Sequence, residues 1–238
     1  MRVVVTRPET AGRPTAERLV AMGHEPVLLP LARAVHDLAT LREALRQDCD
    51  SLAISSAEAV RALGQLGSDA LLRHLDMPLF AVGEASAGAA AALGFTKVVA
   101  SHGDGAVLGD LVAALSPKPA HLLYLAGNPR SPGFERRLNA AEVPFQVCEA
   151  YRMEPIIPNE AALQDAFLSL AADAVLLYSA QTARRFFSLA LFQTHPALLA
   201  TLRILCLSEA IAAEVPLSQR TKTAIAARPD EENLLALL

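Results

Sequence analysis

The sequence predicts an α/β protein with two similar lobes, each a parallel sheet flanked by helices. Short apolar runs alternate with longer helical stretches rich in Ala and Leu, and several blocks occur twice in a permuted order. The chain has 238 residues, of which 53% are hydrophobic and 19% charged. That length suits one large domain or two of about 120 residues each. The second lobe is predicted to be inserted into the first and joined to it by a two-stranded connector.

The apolar runs predict the strands. Their hydrophobicity is nearly continuous, which is typical of strands covered on both faces. Their alternation with helical stretches favours parallel sheets. The predicted strands are Arg2–Val5, Glu25–Leu29, Leu52–Ile54, Leu79–Val82, Lys97–Ala100, Leu122–Leu125, Phe145–Cys148, Ala174–Leu177, Ile204–Leu207 and Thr223–Ala226.

The internal repeat predicts the domain organisation. The block that opens the chain, Val5-Thr6-Arg7-Pro8, resembles Leu125-Ala126-Gly127-Asn128-Pro129. In the middle of the chain this block comes after the other repeated blocks instead of before them. A permuted copy inserted into the first lobe explains this order. We therefore expect lobe one at residues 1–33 and 153–238, and lobe two at residues 37–149. Residues 34–36 and 150–152 would cross between them, and a connector of this kind is a natural hinge.

Composition excludes several classes of function. The net charge of −4 gives no general attraction to nucleic acid or to an anionic membrane. No stretch approaches the roughly 20 apolar residues of a membrane span, and the first residues do not resemble a signal peptide. Cys49, Cys148 and Cys206 are far apart, so neither a zinc site nor a disulfide framework is expected. The missing membrane span and signal peptide lead us to expect a cytoplasmic protein. We expect a monomer, because no heptad pattern or long apolar edge is evident.

The signature motifs of common enzyme classes are missing. The sequence has no GxGxxG, GxxxxGK[ST] or GxSxG, so it gives no support for a dinucleotide-binding, P-loop or α/β-hydrolase site. The six histidines show no metal-binding spacing. We expect five of them to lie solvated in turns or helix flanks: His24, His36, His74, His121 and His195.

Polar residues follow many of the predicted strands, and ligands bind at the carboxyl ends of parallel strands. Hydroxyl groups and helix amino termini in these turns suit anions. Asp104 is expected to cap a helix. The strand-end candidates are Thr6, Arg7, Ser55, Ser56, Ser86, Arg130, Ser179 and Ser208. Each serine can instead cap a helix, which is worth about 1 kcal/mol.

Over nearly its whole length the chain resembles uroporphyrinogen-III synthases. The matching blocks keep the family's order and spacing. They are VVVTRP, GHEPVLLPL, SLAISSAEAVRAL, LFAVGEASAGAAAALGF, LLYLAGNPRSPGFERRL, EAYRMEP, AVLLYSAQTARRFF, ILCLSEAIAAEV and AIAARPDEENLLALL.

The resemblance implies a two-lobed fold and a reaction. The family removes the terminal hydroxyl of hydroxymethylbilane, a linear tetrapyrrole rich in carboxylates, inverts the last pyrrole ring and closes the macrocycle. It uses no metal or organic cofactor. Since the unaided substrate closes without inversion, the protein must supply positioning, which can be worth on the order of 7–11 kcal/mol. A transient contact with hydroxymethylbilane synthase, which makes the labile substrate, is also implied.

The resemblance also implies roles for particular residues. Tyr151 matches the family's tyrosine in the connector and is expected to donate a proton to the departing hydroxyl, although it could simply pack there. The strand-end hydroxyls, Arg7 and Arg130 are expected to bind carboxylates. Ala126 and Glu58 depart from residues common in the family, which keeps a non-catalytic, tetrapyrrole- or anion-binding regulatory paralogue as an alternative. A hydrolase or transferase acting on another anion lacks its nucleophile motif.

Overall fold

A computed structural model describes the chain from Met1 to Leu238, with eleven strands and thirteen α-helices. The strands are β1 Arg2–Val5, β2 Glu25–Leu28, β3 Ala32–His36, β4 Ser51–Ile54, β5 Pro78–Val82, β6 Lys97–Ser101, β7 Leu122–Asn128, β8 Phe145–Pro155, β9 Ala174–Leu177, β10 Arg203–Cys206 and β11 Thr223–Ile225.

The helices lie between the strands. The α-helices are α1 Glu9–Ala21, α2 Leu38–Arg46, α3 Ala57–Gly64, α4 Ser68–Leu71, α5 Gly83–Ala92, α6 Gly105–Ala113, α7 Gly133–Ala140, α8 Glu160–Leu163, α9 Ala180–Phe187, α10 Ala190–Thr194, α11 Leu198–Thr201, α12 Glu209–Ala212 and α13 Glu231–Leu235. Residues Leu72–His74 and Leu217–Lys222 form 3₁₀-helices, and Gln164–Ser169 form a π-helix. No helix has the length and apolar content needed to cross a membrane.

The strands form two sheets. One has the order β11-β10-β9-β1-β2 and the other the order β3-β8-β7-β4-β5-β6. The pairs within the first sheet, and those from β8 to β6 in the second, are parallel. The central strands β1, β4 and β9 are buried along their whole length. This architecture confirms the predicted α/β class with parallel sheets and flanking helices.

The chain divides into two compact units, each with one sheet and its own apolar core. Unit 1 comprises Met1–Arg33 and Glu154–Leu238, and unit 2 comprises Ala34–Met153. In unit 1 the core includes Val4 and Ile204 on one face of the sheet. In unit 2 it includes Leu52 and Leu123.

The two sheets share one spatial order. Strands β11, β10, β9, β1 and β2 occupy in unit 1 the places that β6, β5, β4, β7 and β8 occupy in unit 2. The chain visits these places in a different sequence in each unit, because β1 opens the chain whereas its counterpart β7 follows β4, β5 and β6. The duplicated sequence blocks therefore lie at corresponding places in the two sheets.

Strand β3 and the second half of β8 were not among the apolar runs; the sequence predicted only connector crossings there, at residues 34–36 and 150–152. Asp37 N–H donates to the Ala150 carbonyl at 2.9 Å, and Ile156 N–H donates to the Leu31 carbonyl at 3.1 Å, so these two segments run antiparallel. Most of β3 is only partly buried. Its stability comes from cross-strand hydrogen bonds rather than from a continuous apolar run, which is why hydrophobic patterning missed it.

Candidate functional site

Unit 2 contains a cavity of about 290 Å³ where several strands end. We call it the unit 2 cavity. It lies beside the carboxyl ends of β4, β5 and β7, which is where parallel sheets bind ligands. Three predicted site residues, Ser55, Arg130 and Tyr151, line it. The lining also includes Asp104, Gly105, Tyr124, Gly127 and Phe134.

Tyr151 is positioned by an irregularity in β8. Ala126 pairs with Glu149 and Gly127 pairs with Tyr151, so Ala150 is an extra residue in the parallel register. Such a bulge re-aims the side chains that follow it. As a result Ala150 and Tyr151 are both buried, although neighbouring strand residues normally point to opposite faces. The Tyr151 ring then lies directly against Gly127.

The environment of Tyr151 favours the protonated phenol. Burial raises the pKa of Tyr151 above its ordinary value; the Ser56 hydroxyl lowers it and the nearby Glu58 carboxylate raises it further. A phenol of this kind carries its proton at neutral pH. It can therefore donate a hydrogen bond or a proton to an oxygen that enters the cavity.

Tyr124 is a second buried phenol in the cavity, and sequence reasoning missed it. Its hydroxyl is 2.9 Å from the Ser55 Oγ, and the side chain is 1% exposed. The Tyr124 ring packs edge-on against Phe134, with ring centroids 4.7 Å apart. Tyr124 lies inside the apolar run of β7, and a tyrosine in such a run is predicted to be a core residue.

Arg130 is already paired with carboxylates of the protein. Its Nε is 2.5 Å from Glu135 Oε1, and its Nη1 is 2.7 Å from Glu149 Oε1. The Asn128 amide also donates to Glu149 at 3.1 Å. The Arg130 guanidinium, followed by the Asn128 amide, lowers the pKa of Glu149. A ligand carboxylate would have to replace one of these two partners.

A histidine–carboxylate pair lies in the same unit. His36 Nε2 is 2.7 Å from Glu58 Oε1, and Arg61 Nη1 is 3.4 Å from Glu58 Oε2. The side chains of His36 and Glu58 are only 11% and 10% exposed. The expectation of a solvated His36 was therefore wrong. It was also wrong for His74, which is buried against the Leu45 carbonyl.

The four predicted serines other than Ser55 lie at or within helices. Ser56 and Ser179 cap α3 and α9, accepting the Glu58 N–H at 3.2 Å and the Thr182 N–H at 3.1 Å. Ser208 occupies the cap position of α12 without a side-chain hydrogen bond to the helix. The expectation that Ser86 caps a helix was wrong: it lies buried within α5, whose cap position is Val82. Asp104 caps α6 as predicted, by accepting from Ala106 and Val107.

The predicted residues that follow β1 make contacts inside unit 1. Thr6 is fully buried and donates to the Leu176 carbonyl at 2.7 Å. Arg7 Nη1 is 2.8 Å from Glu231 Oε1, and the guanidinium carbon lies 4.3 Å above the centre of the Tyr178 ring. Tyr178 donates to the same carboxylate oxygen at 2.9 Å. Thr6, Arg7, Ser179 and Ser208 thus lie in unit 1 and do not line the unit 2 cavity.

The family of the chain is established by comparison with family models. The model described as uroporphyrinogen-III synthase HemD matches residues 13–236. The chain belongs to the uroporphyrinogen-III synthase family. This confirms the resemblance found in the sequence and supports a role in tetrapyrrole biosynthesis. A search of curated protein sequences returned no significant match.

Solved structures of uroporphyrinogen-III synthases share the fold of this family member. The structure from Helicobacter pylori 26695 has a TM-score of 0.65 at 16% identity, covering 100% of this chain and 98% of that one. A selenomethionine mutant form from the extremely thermophilic bacterium Thermus thermophilus has a TM-score of 0.60 at 17% identity, covering 100% and 96%. At these identities the likeness concerns the fold alone.

Proposed function

We propose that this chain is a uroporphyrinogen-III synthase, a cofactor-free lyase of the cytoplasm that closes hydroxymethylbilane with inversion of its terminal ring. The observation that carries the proposal is the buried phenol of Tyr151, held on the wall of the unit 2 cavity beside Ser55 and Arg130. Family membership supplies the reaction, and the cavity supplies a group suited to its first step.

In the proposed mechanism Tyr151 is the general acid. Its proton moves to the oxygen of the hydroxymethyl group on the terminal pyrrole. The carbon–oxygen bond then breaks, water departs, and a cationic azafulvene remains. A pyrrole carbon attacks the exposed methylene carbon, and the route to the inverted isomer passes through a spiro-pyrrolenine. The proton released when the final ring regains aromaticity restores the phenol. Positioned proton transfer of this kind typically contributes about 10²–10⁴-fold in rate.

Substrate carboxylates are proposed to bind Ser55, Ser56 and Arg130. For Arg130, this requires a substrate carboxylate to displace Glu149 or Glu135, because both contact the guanidinium in the free protein. Ser86, Ser179, Ser208, Thr6 and Arg7 remain predictions from the sequence. The short-lived substrate would be received from hydroxymethylbilane synthase by a monomer of this chain.

A non-catalytic, tetrapyrrole-binding paralogue is the second candidate. One observation favours it: Arg7 and Arg130, the two arginines expected to bind carboxylates, are both paired with glutamates of the chain itself. Such a protein would retain tetrapyrrole affinity and lack turnover.

Product analysis separates these candidates. Hydroxymethylbilane is generated in place by its synthase, the chain is added, and the oxidised products are separated by isomer. Type III product that increases with protein concentration supports the synthase. Tetrapyrrole binding with type I product only would support the paralogue.

A further inference from the structure

The two units have corresponding positions at the ends of their strands. Ser56 and Ser179 cap the helices that follow the corresponding strands β4 and β9. The residues just before these caps, Ser55 and Tyr178, therefore correspond. Asp104 and Asp230 cap the helices that follow β6 and β11. The first residues of those helices, Gly105 and Glu231, correspond in the same way.

Strand register gives a third pair of positions. Ala53 and Leu176 each lie three residues before a capping serine. Ala53 pairs with Tyr124, and Leu176 pairs with Val5. Ala126 lies two residues after Tyr124 and Arg7 two residues after Val5, so Ala126 corresponds to Arg7.

In unit 1 these three positions hold large side chains that contact one another. Arg7 lies over the Tyr178 ring, and both side chains bind the same oxygen of Glu231. Thr15 also donates to that oxygen, and Arg18 binds the other one at 2.8 Å. We call Arg7, Tyr178 and Glu231 the unit 1 lock.

In unit 2 the same three positions hold Ser55, Ala126 and Gly105. None of them carries a side chain large enough to replace its counterpart in the lock. Ser55 and Gly105 both line the unit 2 cavity. The sequence difference between the two halves thus corresponds to open space in one unit and a packed ion-pair cluster in the other.

The walls of the unit 2 cavity suit a ring that becomes positively charged. Phe134 and Gly127 offer apolar surface, while the hydroxyls of Tyr151, Tyr124 and Ser55 offer polar contacts. Asp104 lines the cavity, and Arg130 carries two carboxylate partners, Glu135 and Glu149. Because Arg130 is paired with carboxylates, the charge left to act on a bound ring is the Asp104 carboxylate, which favours a developing cation in a partly enclosed site.

We propose that the unit 2 cavity is a seat that binds a single pyrrole ring, the one that loses the hydroxyl. In unit 1 the side chains of the lock fill the corresponding position, so that no ligand can bind there. This inference rests on the proposed function and deepens it. Ser55 and Gly105 become specificity-determining residues because their small size provides the seat. In this proposal Arg7 serves the packing of unit 1, which replaces the carboxylate contact that the sequence predicted for it.

A stable ring analogue tests the seat directly. The probe is a methylpyrrole that carries one acetate and one propionate arm and has no hydroxyl to lose. Binding is followed by ligand-observed NMR and by the amide shifts of Gly105 and Gly127. Ser55→Tyr, which introduces the unit 1 residue, is expected to weaken binding by about tenfold or more.

Two variants of the lock serve as controls. Tyr178→Phe and Glu231→Gln remove contacts of the lock, so they should lower the melting temperature and leave probe affinity unchanged. If Ser55→Tyr does not fold, Gly105→Gln replaces it as the variant that fills the cavity.

The outcomes are distinct. Saturable probe binding with shifts at Gly105 and Gly127, lost in the filled variant, supports the seat even if no type III product forms. In that case only the proposed synthase activity fails. Absence of probe binding, shifts centred on Arg7 and Tyr178, or full affinity in the filled variant would each overturn the seat, whether or not the chain is a synthase.

Discussion

The ring of Tyr151 occupies the place where any residue larger than glycine at position 127 would carry its Cβ. A Cβ built on Gly127 would lie 2.5 Å from the Tyr151 hydroxyl oxygen and 2.6 Å from Cε2. Atoms do not approach that closely without moving. The glycine in β7 and the bulge in β8 therefore act together to set the position of the phenol.

Gly127→Ala is expected to displace the phenol and lower the rate of type III formation by about tenfold or more. Overpacking a buried site costs about 1–3 kcal/mol, part of which the moving ring relieves. The measurements are the initial rate, the isomer ratio and the melting temperature. Gly88→Ala is the matched control, since nothing lies within 4 Å of its added Cβ. Equal rates in the two variants would contradict the positioning role.

Tyr151→Phe removes the proposed acid and little else. The rate is expected to fall by about 100-fold or more, as is typical for loss of a general acid, with a melting temperature close to that of the parent protein. Because burial raises the pKa of Tyr151, the parent protein should keep this contribution throughout the neutral range and lose it only in strong alkali. Tyr124→Phe, which loses the contact with Ser55, is the comparison. A comparable fall in Tyr124→Phe would show a general effect of the cavity rather than acid catalysis by Tyr151.

Glu149→Gln is expected to strengthen substrate binding. Removing this charge frees one arm of the Arg130 guanidinium for a substrate carboxylate. Since Glu149 is half exposed, the gain should be small, about threefold in KM, which corresponds to less than ~1 kcal/mol. Glu214→Gln is the control, because it breaks the exposed Arg184 pair in unit 1. A raised KM in Glu149→Gln would mean that Glu149 orients Arg130 instead of competing for it.

Glu231 should make the free energy of unfolding depend on pH in the acidic range. Burial raises the pKa of Glu231, but hydrogen bonds from Thr15 and Tyr178 and the charges of Arg7 and Arg18 outweigh it, so the net pKa lies below the ordinary value of 4.5. A depressed carboxyl pKa stabilises the fold above the unfolded-state pKa, and this contribution is lost as the pH falls through the folded-state pKa.

Glu231→Gln is accordingly expected to cost about 2 kcal/mol near neutral pH, as for hydrogen bonds to a charged group. The difference from the parent protein should shrink below about pH 4.5. Denaturant unfolding at several pH values measures it. Glu43→Gln removes only an exposed pair with Arg46 and should change stability by less than about 0.5 kcal/mol at any pH. A pH-independent cost in Glu231→Gln would exclude the charge as its source.

The α/β class and most strands were predictable because burial on both faces leaves a continuous apolar run, as in Arg2–Val5 and Ala174–Leu177. The duplicated blocks were also visible as sequence. Strand β3 was not visible as an apolar run, since its stability comes from pairing with β8 and its burial is only partial; the sequence indicated only a connector crossing at residues 34–36.

The site was less predictable than the fold, because its decisive contacts join distant residues. Tyr151, Ser55 and Arg130 were identified as candidates, yet nothing local to Arg7 indicates that Glu231, 224 residues away, will neutralise it. The bulge at Ala150 and the contact with Gly127 arise from the register of two strands, which a single sequence does not encode locally. The roles assigned to these residues remain predictions.

The most direct measurement compares the parent protein and Tyr151→Phe on hydroxymethylbilane made in place, with both product isomers quantified. The account predicts mainly type III product from the parent protein and a return towards the spontaneous type I product in the variant, with both proteins equally folded. Type I product alone from the folded parent protein, or an unchanged yield of type III product from Tyr151→Phe, would contradict it.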